Sequence, residues 1–202
     1  IDAAPSGRIQ PLYGVGMEPI PAEAEISALA GYRGMGPIRV GNQAHEHHQH
    51  DVYGQIVLST VQAFHDARLF RPAGEEDFRA LESVGERAYA VYSKPDAGLW
   101  EFRTREATHT YSAVMCWAAC DRLANAAQRL GLGDRALHWR ARADEMRAAI
   151  ESQAWNAELG RYAATFGGKE MDASLLQMVD TRFLSADDPR FLATLNYLET
   201  QL

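Results

Sequence analysis

Cysteine is scarce in this chain: Cys116 and Cys120 are the only two, four residues apart inside a helical pattern. A disulfide framework is thereby excluded, and two small buried thiols in a reducing compartment fit better than a redox or metal pair. A surplus of positive charge is also missing. The 20 Lys and Arg against 27 Asp and Glu leave a formal charge of -7, so no basic stripe is present to replace the counterions of a nucleic acid or an anionic membrane. Neutral or polyhydroxylated ligands fit better than polyanions. No apolar run approaches the length needed to cross a bilayer. The chain opens IDAAPSG, neither an initiator methionine nor a signal peptide, and reads as part of something longer. The unpaired cysteines lead us to expect a cytoplasmic protein.

What is present is ordinary for a globular domain: 202 residues, 47% apolar and 23% charged, enough for one domain or a large piece of a bigger one. Residues 1–49 are rich in Gly and Pro, with YGVG, PIPAE, GYRGMGP and VGN in succession. So long a stretch without helical periodicity, yet holding Tyr13, Tyr32, Ile38 and Val40, reads as an ordered loop that lines something. Helical periodicity then takes over. Tyr53, Ile56, Val57, Val61 and Phe64 share a face, as do Phe78, Leu81, Val84, Ala88 and Tyr92. The second helix should end before SKPDAG, with its breakers Pro95 and Gly98. A third helix is expected from about Thr108 to Leu130, stopping at Gly131. Leu132, Ala136, Trp139, Ala143, Met146 and Ile150 form the stripe of a fourth. WNAELGRYAATF reads as a turn followed by a short extended piece, and Asp172 to about Val179 as a short helix. SADDPRF starts the last helix, with Asp188 as N-cap, Pro189 at the first helical position, and Phe191, Leu195, Leu198 and Leu202 facing inward. The fold class is all-α.

The stretch QAHEHHQHDVYG concentrates His45, His47, His48 and His50 beside Glu46 and Asp51. A zinc-protease motif would be H-E-x-x-H, but Gln49 stands where the second His belongs. A zinc site needs three or four ligands, and His65, His109 and His138 carry no metal spacing of their own. We therefore read no metal site and no cofactor. Glu101, in AGLWEFR, is more informative. It follows a breaker-rich turn, adjoins Trp100 and precedes a helix. A carboxyl group beside an indole in a partly desolvated loop can have its pKa raised, as a general acid near neutral pH requires. Indole surfaces also suit sugar rings. The plainer alternative makes Trp100 core and pairs Glu101 with Arg103 or Arg105 on the surface.

Taken in order, YGVGMEPIPAEAEISALAGYRGMGPIRVGNQAHEHHQHDVYGQ, GLWEFRTREATHTYSAVMCWAACDRL, DASLL and SADDPRFLATL resemble segments of glycoside hydrolase family 15, the glucoamylase-like and trehalase-like enzymes. The resemblance covers essentially the whole chain. It implies part of an (α/α)6 barrel of antiparallel helices with long site-forming loops. Residues 1–49 would be a substrate-binding loop region and 50–202 barrel helices of a partial catalytic domain. It also implies hydrolysis of α-glucosidic bonds of oligosaccharides or trehalose with inversion. In that mechanism one carboxylic acid protonates the leaving oxygen, and a second carboxylate about 6.5–9.5 Å away activates water from the opposite face. By the same resemblance Glu101 is the general acid and Trp100 a sugar platform. Gln49 and Asp51 lie near the non-reducing-end sugar, and Arg39 and Asn42 shape the same wall.

Two departures accompany the resemblance. Phe102 stands where fungal glucoamylases carry a second acidic residue, and no segment matches the acidic loop that supplies the family's general base. The piece alone is therefore expected to be inactive as a hydrolase, and association through exposed barrel faces is compatible with the sequence. The rival reading is a non-catalytic helical module that binds carbohydrate or a partner. A metal-dependent hydrolase would need His65 or His109 brought to the histidine cluster.

Overall fold

Small residues set the architecture. The run AVMCWAACDRLANAA offers Ala and Cys on nearly every side, so neighbouring helices can approach closely, and in the computed structural model it lies in α3 (Thr110–Arg129), buried along most of its length. Residues 9, 12–18, 20–66, 68, 71–102 and 104–201 are described. The opening IDAAPSG, Arg103, Leu202 and the side chain of His45 lie outside that description. Around α3 pack α1 (Asp51–Val61), α2 (Glu75–Val91) and α4 (Gly133–Ala154).

Contacts fix the helix directions. Gly54 of α1 lies against Met115, and the Phe64 carbonyl just past α1 accepts from Arg129 at the far end of α3, so these two helices run the same way. Glu82 of α2 accepts from Trp139 Nε1 at 2.7 Å, and Tyr89 Oη donates to Glu145 at 2.7 Å, so α2 and α4 also run together. Asp121 bonded to Arg140 at 2.5 Å, and Arg147 over the Trp117 ring at 4.6 Å, show α4 running against α3. The result is two pairs of opposite direction, α1 with α3 and α2 with α4. Trp139 is fully buried where α2, α3 and α4 meet, and Gly85 leaves room for its ring: a Cβ there would come within 2.7 Å of the indole. A buried side chain of that size stabilises the fold by roughly 2–3 kcal/mol.

Gly54 serves the same end between α1 and α3. A Cβ at Gly54 would lie 2.2 Å from the Met115 carbonyl oxygen, a backbone atom that cannot swing aside. Gly54→Ala should force the helices apart and cost about 1–3 kcal/mol in urea unfolding. A variant as stable as its parent would show that the two helices do not meet at this point.

The remaining elements are short. Strands β1 (Ala24–Ile26) and β2 (Ile38–Val40) pair antiparallel within the Gly- and Pro-rich region, with Glu25 opposite Arg39. The stretch read as a turn and one extended piece is a hairpin instead: β3 (Trp155–Asn156) pairs with β4 (Arg161–Tyr162). Asp172 caps a 3-10 turn at Ala173–Leu176 by accepting from Ser174 N, and α5 (Gln177–Asp180) follows. Asp188 Oδ1 accepts from Arg190 N at 2.8 Å, which caps α6 (Pro189–Gln201) as expected. Among the described residues no helix is long and apolar enough to cross a membrane.

Candidate active site

Because α1 and α3 run together, their N-termini share one end of the array. The turn between α2 and α3 crosses that end, and Asp172 reaches it as well: Trp100 Nε1 donates to Asp172 Oδ2 at 2.6 Å. Three successive residues ahead of α1 hold the crossing turn. The His48 carbonyl accepts from Ala97 N at 2.8 Å, Gln49 Nε2 donates to the Gly98 carbonyl at 3.2 Å, and His50 N donates to Asp96 Oδ2 at 2.8 Å. Asp96 and Ala107 exchange backbone hydrogen bonds of 3.0 and 3.1 Å and so close the turn's base. The histidine-rich stretch is thus the rim that carries Glu101's turn.

Backbone conformation sharpens the turn. Gly98 sits at φ +68°, and a Cβ there would come within 2.8 Å of the His109 ring. Glu101 itself has φ 53°, in the left-handed region. Such a non-glycine conformation costs about 1–3 kcal/mol and persists only where its surroundings enforce it, as functional sites often do. Here Glu101 N donates to the Gly98 carbonyl at 3.2 Å and Phe102 N to the Ala97 carbonyl at 3.0 Å.

Beneath the turn lie two buried carboxyl groups. Asp51 is 3% exposed, and burial first, then the charge of Asp96, pushes its pKa up to about 6 against the bond from Gln55 Nε2 at 2.5 Å. Glu101 is close enough to raise it further. Asp96 is 0% exposed and is likewise pushed up to about 6 by burial, opposed by donors from His50 N, Ser112 Oγ at 2.8 Å and the Gly98 backbone. Asp51 Oδ1 and Asp96 Oδ1 are both buried without a hydrogen-bond partner among the described residues. Burial holds the His50 imidazole down to about 4 although the Pro95 carbonyl accepts from it, and burial lowers His109 as well. Tyr111 is raised by burial and then by the charge of Asp51, while its bond with Gln55 opposes the shift. Cys116, buried and far above its usual thiol value, donates from Sγ to the His50 carbonyl at 3.2 Å.

The structure therefore brings Gln49, Asp51, Trp100 and Glu101 to one end. Arg39 and Asn42 have their described contacts elsewhere: Arg39 pairs with Glu23 at 2.6 Å and Glu25 at 3.4 Å, and Asn42 Oδ1 accepts from Ala44 N at 2.9 Å. Trp100 is not core, since 57% of it is exposed. Glu101 is exposed too, so the desolvated carboxyl environment expected around it is found instead at Asp51 and Asp96. Arg105 stacks on Phe102 at 4.1 Å and pairs with Glu170 at 3.7 Å. His65 lies just past α1, at the end away from the rim, while His109 stacks on Phe102. Among the described residues no three His, Cys, Asp or Glu side chains group as a metal site.

Sequence reasoning missed Asp96, Gln55, Tyr111 and Asp172 as members of this end. A faint signal existed for Gln55 and Tyr111, which lie near the starts of helices that carry the site. Beside the Trp100–Asp172 bond is a cleft of about 430 Å³ lined by Phe102, Arg105, His109, Thr165, Lys169 and Asp172.

In overall fold the chain matches a solved glycosidase in complex with glucose, with a TM-score of 0.66 over 84% of this chain and 46% of the other, at 19% identity. This is the helical fold of that glycosidase. The profile of the Glycosyl hydrolases family 15 matches residues 5–202, and the chain belongs to that family. It is 38% identical to a trehalase of Mycobacterium tuberculosis over 96% of its own length, and 33% identical to a trehalase of Thermoplasma volcanium over 89%. It spans 28% of the length of each of these relatives.

Proposed function

We propose that residues 1–202 are part of a glycosidase catalytic domain, an (α/α)6 barrel in which 1–49 form a substrate-binding loop region and 50–202 barrel helices. The two helix pairs of opposite direction, α1 with α3 and α2 with α4, support the barrel, because such a toroid alternates helix direction between its rings. The reaction is hydrolysis of an α-glucosidic bond with inversion, and the named trehalase relatives favour trehalose over maltooligosaccharides as substrate.

One observation carries the assignment: residues 48–50 clamp the 96–101 turn, so that Glu101 and Trp100 stand over Gln49 and Asp51. Glu101 is the general acid that gives its proton to the leaving glycosidic oxygen. Trp100 is the sugar platform, held in place by Asp172. Gln49 and Asp51 accept or donate to sugar hydroxyls, and Arg39 and Asn42 shape the outer wall. The general base comes from residues beyond these 202, consistent with the 28% of the relatives' length that they span, and the segment alone is therefore a poor hydrolase.

Product stereochemistry tests the mechanism. In α,α-trehalose, water attacks C1 of one glucose from the β face, and the other glucose leaves with its α-linked oxygen protonated. The full-length protein should therefore release α- and β-glucose in equal amounts at the earliest times followed by NMR. Release of α-glucose alone would mean retention and overturn the inverting reading. Failure to cleave either trehalose or maltooligosaccharides would overturn the glucosidase reading.

A further inference from the structure

Asp96 does more than fill a turn. Its carboxylate is fully buried, and Oδ2 accepts from two separate helices: His50 N at the start of α1 and Ser112 Oγ in the first turn of α3, both at 2.8 Å, while the nearby Gly98 backbone in the crossing turn also favours its charge. Its own backbone closes that turn on Ala107. A buried carboxylate is costly unless it is hydrogen-bonded, so two donors from different helices converging on Oδ2, with Oδ1 buried and unpartnered among the described residues, mark a constructed junction.

We propose that Asp96 is a positioning residue that fixes the Gly98–Glu101 turn against the starts of α1 and α3 and so sets where the Glu101 carboxyl meets the leaving-group oxygen. Asp96 does not reach the substrate; it acts through Glu101. The inference rests on the assignment of Glu101 as general acid. With the junction gone, the turn is still fastened by Ala97 to His48 and by Gln49 to Gly98, so it shifts rather than unravels. Misplacement of a catalytic group by about 1 Å costs on the order of 10²-fold.

The test compares two leaving groups in the full-length protein. Trehalose needs a proton delivered to its leaving oxygen, whereas α-glucosyl fluoride expels fluoride without one. Asp96→Ala should lose about 100-fold in kcat on trehalose and less than about tenfold on the fluoride, with thermal unfolding still cooperative. Asp96→Asn keeps an acceptor oxygen for His50 and Ser112 and should recover most of the loss on trehalose. Combining Asp96→Ala with Glu101→Gln should lose little beyond Glu101→Gln alone, because both changes remove one function. Should Asp96→Ala fail to fold, Ser112→Ala removes one donor and leaves the carboxylate in place, and it too must lose more on trehalose than on the fluoride. Equal losses on both substrates, or no loss on trehalose, would overturn the positioning role. Wild-type protein inert towards both substrates would instead sink the glucosidase reading, and this inference with it.

Discussion

Glu101→Gln in the full-length protein should lower kcat on trehalose by about 10²–10⁴-fold, the usual worth of acid assistance, while KM changes little. The side chains are nearly the same size, and Glu101 is exposed, so the substitution leaves no cavity and strands no buried partner. Stability should stay within about 0.5 kcal/mol of the parent. What disappears is the proton. An amide can still donate a hydrogen bond to the glycosidic oxygen but cannot transfer a proton as the bond breaks. Gln also tolerates the left-handed backbone at position 101 no worse than Glu, so the turn should keep its shape. A kcat within threefold of wild type would show that the acid lies elsewhere. A matching collapse in thermal stability would show that Glu101 holds the turn together instead.

The parts of this molecule that were legible in the sequence are those whose signal is local. The stripe from Ala136 to Ile150 and the Asp188-Pro189 start are written in spacing and capping chemistry, and both appear where expected. Two-residue strands are too short to show alternation, so Trp155–Asn156 and Arg161–Tyr162 gave no sign of their pairing. Glu101 was legible because its Trp neighbour and the turn before it form a recognisable segment. Its exposure was not, because that depends on how the turn lies across two helix ends.

Asp96 shows the limit most clearly. In SKPDAG it reads as one more polar residue among breakers, which is how Asp usually behaves beside Pro and Gly. Its burial follows only from the convergence of the starts of α1 and α3, residues 46 and 16 positions away in the chain. The same holds for Trp100, whose partner Asp172 is 72 residues distant. Local pattern places helices; long-range pairing decides which carboxyl groups lie inside.

Asp51→Asn should move stability and activity in opposite directions. In the folded protein Asp51 titrates near 6 rather than at its ordinary 3.8, because burial and the nearby Asp96 disfavour its charge. Between those two values the folded state binds more proton than the unfolded one. Its contribution to stability is therefore complete below about pH 4 and is lost as pH rises through 6. At pH 7.5 the ionised group is a net burden on the fold. A neutral Asn removes that burden, worth at most about 3 kcal/mol for a shift of roughly two units. It keeps an acceptor for Gln55 but brings an amide that needs a partner of its own, so a gain of about 1–2 kcal/mol is expected. The gain should largely vanish at pH 4, where folded Asp51 is protonated and the unfolded group is only about half ionised. His50 pulls the other way, adding stability as pH rises from about 4 towards 6.5, but it is common to parent and variant and cancels in the difference. Activity should fall, because a charged acceptor to a sugar hydroxyl is worth about 1.5–3 kcal/mol, or about 10–100-fold in kcat/KM. Chemical unfolding at pH 7.5 and pH 4, with trehalose kinetics at pH 7.5, checks both halves. A variant less stable at pH 7.5 would make Asp51 a structural residue, and a variant that is more stable and equally active would remove it from the sugar site.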